Sequence, residues 1–222
     1  MKHSDIYTKF MIEYDKANVT SSYPSLTKYE IATILDKAYL AIIAEKFTGN
    51  NPRGVAFEQD IKAIEDIRPL LKVEQLVQIT PHVNLHGQTA YKIPNDFLYY
   101  VNLQLNQYTT KTSISGTEHK YSNVFLISST DAAKFKPTPT NLPWVKNPVA
   151  YITENVINVI IDTYNNKYNA GDMSAYLEYV KKPIKFVGNP DDTDFELNDQ
   201  MAEELINLAI IMATEIVESP RL

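Results

Sequence analysis

TKYEIATILDKAYLAIIAEKF, Thr27 to Phe47, decides how this chain folds. Thr27 and Glu30 stand at capping-box spacing. The hydroxyl and the carboxylate can each accept a backbone N–H that the first helical turn leaves free. Ile31, Leu35, Ala38 and Ile42 then recur at helical spacing and form one apolar stripe. Ile34, Tyr39 and Ile43 broaden that stripe, while Lys28, Thr33, Asp36 and Lys37 mark the wet side. The far end of the chain carries a second pattern of this kind, NDQMAEELINLAIIMATEIVESPRL, Asn198 to Leu222. Asn198 is a good N-cap, and Asp199, Glu203 and Glu204 suit the positive end of the helix. From Leu205 to Ala213 that helix is apolar nearly all round. Such a helix is buried on several sides, in a central core or at a subunit interface.

Outward from Thr27, residues 4–17 read as a short helix with Ile6, Phe10 and Tyr14 at helical spacing. The turn-forming run NVTSSYPS separates it from the capping box. Asn18-Val19-Thr20 matches a glycosylation sequon, which means nothing without a secretion signal. Beyond Phe47, Gly49, Pro52 and Gly54 break the chain. A third helix is expected from about Val55 to Ile67, with Phe57, Ile61, Ile64 and Ile67 inward. Pro69 restricts Arg68 and ends it.

From residue 72 the hydrophobic period changes to two. In VNLQLNQ, Val101, Leu103 and Leu105 point one way and Asn102, Gln104 and Asn106 the other. LVQIT, TAYKI, NVFLIS, VAYIT, VINVIID and AYLEYV are further strand candidates. Turn signals at His86-Gly87, Ser115-Gly116 and Asn169-Ala170-Gly171 separate them. The segment KFKPTPTNLPWVKNP, Lys134 to Pro148, should be extended and poor at sheet pairing. It is either a loop that caps the sheet, with Trp144 in the core, or an arm that reaches a neighbouring subunit. The expected fold is therefore α+β in a single 222-residue unit. Residues 1–71 and 197–222 would form a helical bundle. Residues 72–188 would form a β-rich insertion, an antiparallel sheet, sandwich or small barrel, with an extended loop at 134–148.

Composition narrows the function. Hydrophobic residues make up 44% and charged residues 22%, as in an ordinary globular protein. A net charge of −6 does not suit a broad grip on nucleic-acid phosphates. Lys181, Lys182 and Lys185 read as a solvated strand end. With no cysteine, disulfides, thiolate nucleophiles and Cys-ligated zinc are excluded. The opening MKHSDIYTKF lacks the apolar region of a signal peptide. Leu205 to Thr214, the longest apolar run, is far short of the ~20 residues of a membrane span. The 15 tyrosines fit either an AT-rich genome or a surface built for protein contacts.

No constellation points to chemistry. His82 and His86 have zinc-helix spacing, but Pro81, Val83, Leu85 and Gly87 argue for a strand or loop. On a strand the two lie about 13 Å apart and cannot share a metal. Asn189 to Asp194 is acidic but lacks the Gly and Glu of a calcium loop. The chain has no phosphate-cradling glycine loop and no G-x-S-x-G elbow. Glu154, Asp162 and Glu178 lie near expected strands, and nothing marks two of them as a catalytic pair. We expect no catalytic residue, no cofactor and no metal.

YEIATILDKAYLAIIAEKF, Tyr29 to Phe47, resembles a motif of tailed-phage structural proteins of the crAss-like type. Tyr29-Glu30-Ile31, Leu35-Asp36-Lys37-Ala38 and the aromatic stop at Phe47 carry the likeness. YLEYVKKPIKF, Tyr176 to Phe186, resembles their final strand with its Lys-Lys-Pro. AEELINLAIIMATEIVESPRL resembles their closing helix with its Ser-Pro-Arg. The corner Ile93-Pro94-Asn95-Asp96-Phe97 adds a looser match in the middle of the chain. The resemblance implies a head–tail connector or neck ring (adaptor) protein of the virion. Such a protein assembles in the host cytoplasm into a closed ring, commonly a dodecamer, beneath the portal. It contacts the portal and neighbouring tail rings, and DNA passes through without sequence-specific binding. Tyr99, Tyr100 and Trp144 are the residues we single out for a subunit interface. The rival readings are another tail-stub ring layer, a carbohydrate-binding β module suggested by the tyrosines and Trp144, and a hydrolase using unrecognised carboxylates.

Overall fold

The computed structural model describes residues 1–17, 24–48, 61–80, 88–109, 118–135, 142–144, 146–162, 173–189 and 192–218. The chain divides into two compact units, Met1–Leu70 with Pro183–Leu222, and Leu71–Lys182.

In the first unit, α1 spans His3–Ala17, α2 Lys28–Thr48 and α3 Ile61–Ile67, with a 3₁₀ turn at Arg68–Leu70; α5 spans Asp199–Glu218. The capping box forms as the spacing requires. Thr27 N donates to Glu30 Oε2 at 2.7 Å, and Glu30 N donates to Thr27 Oγ1 at 3.3 Å. At α5, Met201 N donates to Asn198 Oδ1 at 2.8 Å. Helices α1 and α2 both pack on α5. Ile6, Phe10, Leu35, Ala38 and Ile43 are fully buried, as are Leu205, Ala209 and Ala213 of α5. The alanines let the helix backbones approach closely. Lys46 of α2 reaches Asp66 at 3.5 Å and Glu204 at 3.2 Å, tying α2, α3 and α5 together. Met1's ammonium meets Asp199 Oδ1 at 2.9 Å, beside the start of α5.

Two residues of this unit depart from expectation. Asp36 belongs to the wet side of the stripe, yet it is half-buried. Its Oδ1 accepts from Phe186 N at 2.8 Å, because the segment leading to α5 runs back across α2. Burial raises the Asp36 pKa, opposed by that hydrogen bond. The strand expected to run through Phe186 ends at Lys181, since Pro183 has no N–H for a ladder. Phe186 instead stacks on His3, with ring centroids 4.2 Å apart. The expected start of the third helix, and its Phe57, lie outside the described residues.

Replacing Thr27 with Ala is expected to cost about 1 kcal/mol, the usual worth of an N-cap hydroxyl. A urea midpoint unchanged from the parent would refute this role for the cap.

Among the described residues the second unit has nine strands: β1 Leu71–Gln75, β2 Val77–Ile79, β3 Gln88–Lys92, β4 Phe97–Thr109, β5 Glu118–Asn123, β6 Phe125–Leu126, β7 Val149–Thr153, β8 Val156–Ile160 and β9 Met173–Lys181. A four-stranded sheet runs β1-β9-β4-β5, and a five-stranded sheet runs β2-β3-β8-β7-β6. All pairs are antiparallel except β6 with β7. One core serves both sheets. Leu103, Leu105, Leu177 and Tyr179 face Tyr91, Ala150, Ile157 and Val159. This is a two-sheet sandwich; among the described residues no ladder closes into a barrel. The short helix α4, Ser129–Ala132, lies within this unit, its first turn closed by Ser128.

The strands β1 and β5 were not among the sequence candidates. LKVEQ and EHKYSN are mostly polar, because each is an edge strand that buries little. Leu103 and Leu105 point into the core as the alternation requires, with Gln107 buried at the same parity. Val101 is only half-buried, since a register irregularity falls between Tyr100 and Asn102.

Candidate functional site

The surface of the β unit is distinguished by where its apolar side chains remain in water. Val73 of β1, Val77 of β2 and Tyr121 of β5 are each about two-thirds exposed, and Phe125 and Leu126 of β6 are exposed as well. Those four strands are the edges of the two sheets. Edge strands of isolated proteins are ordinarily blunted by charge, proline or bulges. An edge of this kind is a template on which another chain can add a strand.

The path of the backbone explains why the four edges form two sides. β1 runs into β2 through one residue, Leu76, which is buried and whose N donates to Ala175 O at 2.8 Å. β5 runs into β6 through one residue, Val124, which is buried and whose N donates to Leu103 O at 2.9 Å. Each side of the sandwich is thus one continuous run of chain that switches sheets at an apolar corner. Residues 71–79 form one side and residues 118–126 the other.

On the helical unit, the apolar stretch of α5 is buried at Leu205, Ile206, Ala209 and Ala213 and exposed at Ile211 and Ile216. Its all-round hydrophobicity is therefore only partly absorbed within the chain.

The residues singled out from sequence are placed as follows. Tyr99 and Tyr100 are consecutive on β4 and both half-buried. Tyr100 packs against the shared core, and burial pushes its hydroxyl pKa up. Trp144 is 60% exposed, which corrects the core alternative. The residue that packs inward is Leu142, against Ala132, Val149 and Ile160. Pro143 O accepts from Asp162 N at 2.8 Å, and Trp144 O from Asn147 N at 2.8 Å. These bonds pin the backbone while the indole stays outside. Lys146 Nζ lies 4.8 Å from the Trp144 ring centroid, a cation–π contact.

One polar cluster escaped sequence reading. Lys72 Nζ lies 2.9 Å from Glu74 Oε2 and 3.2 Å from Asp96 Oδ2. Tyr179 OH is 2.8 Å from Asp96 Oδ1 and 3.1 Å from Glu74 Oε2. Lys182 N donates to Asp96 O at 2.6 Å. Burial raises the Asp96 pKa, but the Tyr179 hydroxyl and the Lys72 ammonium outweigh it, and the net shift is downward. Tyr179 is pushed well up, by burial first and by its hydrogen bond to Asp96 next. A cleft of about 340 Å³ opens beside the cluster, lined by Lys72, Glu74, Lys92, Pro94 and Asp96 among others. Its carboxylates are already engaged by cation and hydroxyl, so the cluster fastens β1 to β9 and to the turn before β4.

Among the described residues, no three His, Asp or Glu side chains are grouped to hold a metal. His82 and His86 lie outside the described residues. Of the acidic run, Asp192 pairs with Lys2 at 3.6 Å; Pro190 and Asp191 lie outside the described residues. Glu154 sits on the β7–β8 hairpin with φ 51°, Glu178 on β9, and Asp162 just after β8.

What this architecture offers is contact surface, on two opposite sides of a sandwich and along one helix. That is the equipment of a structural assembly protein. Residues 1–219 match the crAss-type family described as phage tail ring protein 3/4, and the chain belongs to that family. No curated protein matches it. It is a structural tail ring protein of the virion.

Proposed function

We propose that this chain builds a closed ring, a dodecamer, at the junction of portal, neck and tail, bridging head to tail around the DNA exit channel. The observation that carries this reading is the apolar side chains exposed on the sheet edges of a ring-family protein. Head-to-tail contacts between two different patches of one molecule generate closed rings. The net charge of −6 per copy supports a conduit, because a ring of copies repels DNA instead of holding it. Tyr99, Tyr100 and Trp144 remain proposed interface residues, Trp144 best placed of the three by its exposure. Assembly takes place in the host cytoplasm. Among the described residues no helix is long and apolar enough to cross a membrane.

Mass measurement and negative-stain imaging test this, on the purified protein alone and mixed with its portal, alongside imaging of virions. Rings of twelve copies seated against the portal are expected. A ring seated one layer further down would move the protein to the tail stub. Virions without an annular layer of this polypeptide would overturn the reading.

A further inference from the structure

We infer that neighbouring copies join edge to edge, β1 of one copy adding antiparallel to β5 of the next, with β2 and β6 meeting beside them. This rests on the ring reading above.

Strand direction is the first support. In the four-stranded sheet each neighbouring pair is antiparallel, so β1 and β5, at its two ends, run in opposite directions. The five-stranded sheet would end in strands of the same direction if every pair were antiparallel. Its one parallel pair, β6 with β7, reverses the last strand, so β2 and β6 are also opposed. Copies related by a small rotation keep nearly the same orientation. A neighbour so placed meets both edges in the antiparallel sense, without turning over.

Side-chain placement is the second. Val73 aligns with Glu178, and Glu178 with Asn102. Tyr121 aligns with Asn106, and Asn106 with Ser174. Glu178 and Ser174 are four apart on β9, so all these residues share the face opposite Leu103 and Leu177. Val73 and Tyr121, the exposed apolar side chains of the two edges, therefore come to one face across a junction between copies.

Charge is the third. Residues 71–79 carry one lysine and one glutamate, and residues 118–126 one lysine and one glutamate, so each run is neutral within a chain of net charge −6. These sides can approach without the repulsion that the rest of the surface imposes. Lys72, the charge that would blunt β1, is drawn onto Glu74 and Asp96.

The chain has no cysteine, so the introduced thiols are the only ones it carries. Particles carrying Val73→Cys with Tyr121→Cys, or Val73→Cys with Asn123→Cys, are oxidised and run without reductant. At least one pair is expected to give a ladder of multimers, and each single variant monomer only. A covalent dimer from Val73→Cys alone would show a two-fold contact and overturn the inference. Rings visible in particles that yield no ladder from either pair would overturn it while leaving the ring reading intact. Particles without rings would end both. As a second measure, Val73→Glu with Tyr121→Glu is expected to lower copies per particle by about tenfold or more, the loss of a central apolar contact. Val73→Lys with Tyr121→Glu is expected to restore them. Val73→Glu stands opposite Glu178 of β9 and should lower Tm of the isolated chain slightly, whereas Tyr121→Glu alone stands opposite Asn106, should leave Tm unchanged, and is expected to lose incorporation as well. Unchanged incorporation of the double-Glu variant, or failure of the Lys–Glu pair to restore it at unchanged Tm, would count against the pairing.

Discussion

Leu103→Ala is expected to destabilise the β unit by about 2–5 kcal/mol, the range for deleting a fully buried leucine. Leu103 sits on β4 at 0% exposure. Its backbone pairs with Leu177 of β9, and its O also accepts from Val124 N at the corner between β5 and β6. Truncation therefore opens a void beneath both the central pair of the four-stranded sheet and one of the two corners. Close-packed interiors relax only partly into such a void. Hydrogen exchange across Met173–Lys181, followed in urea, reads the effect on the β unit directly. Leu103→Met keeps the volume and should cost under about 1.5 kcal/mol. Equal protection in parent and alanine variant would mean that the shared core is not what holds the sheets together. Because the corner carries β5, the alanine variant should also lose incorporation into particles.

Tyr179→Phe removes the hydroxyl that bonds Asp96 and Glu74 while leaving the ring in the core. The expected cost is about 2 kcal/mol, as for hydrogen bonds to charged groups. The cost should also depend on pH. The Asp96 pKa is depressed in the folded state, by Tyr179 and Lys72 acting against burial. A depressed carboxyl contributes its stability above the ordinary carboxylate range, about pH 4, and loses it as pH falls through the folded value. The gap between parent and Tyr179→Phe should therefore be full at pH 6–7 and narrow as the medium is taken to about pH 3. Urea midpoints over that range decide it. A gap that stayed constant, or widened in acid, would show that the hydroxyl does not act through the carboxylates.

How far the sequence could be read differs by element, for physical reasons. α2 was legible from its capping box and stripe because those interactions are local: a hydroxyl, a carboxylate and two backbone amides within one turn. α1 and α5 were legible for the same reason. Of the strands, β4 and β9 announced themselves by alternation, and β2, β3, β6, β7 and β8 by short apolar runs. β1 and β5 did not, because LKVEQ and EHKYSN are mostly polar and are held in place by the neighbouring strands β9 and β4. Asp36 misled because its partner, Phe186 N, is 150 residues away. The Lys72–Glu74–Asp96–Tyr179 cluster was invisible for the same reason, its members meeting only when β1, β9 and the turn before β4 come together. Trp144 could not be read from sequence as core or exposed; Leu142 takes the inward place and leaves the indole outside.

The amino-acid order alone determined the α+β class, the positions of the main helices, the absence of thiol chemistry and the likeness to phage ring proteins. Each of these lives in local spacing or in composition, where the deciding interactions are a few residues long. The tertiary structure alone decided that two sheets share one core, that single buried residues carry the chain from sheet to sheet, and that both sheets end in opposed strands with apolar side chains in water. Those features depend on pairing between distant segments, whose direction and register no local pattern encodes.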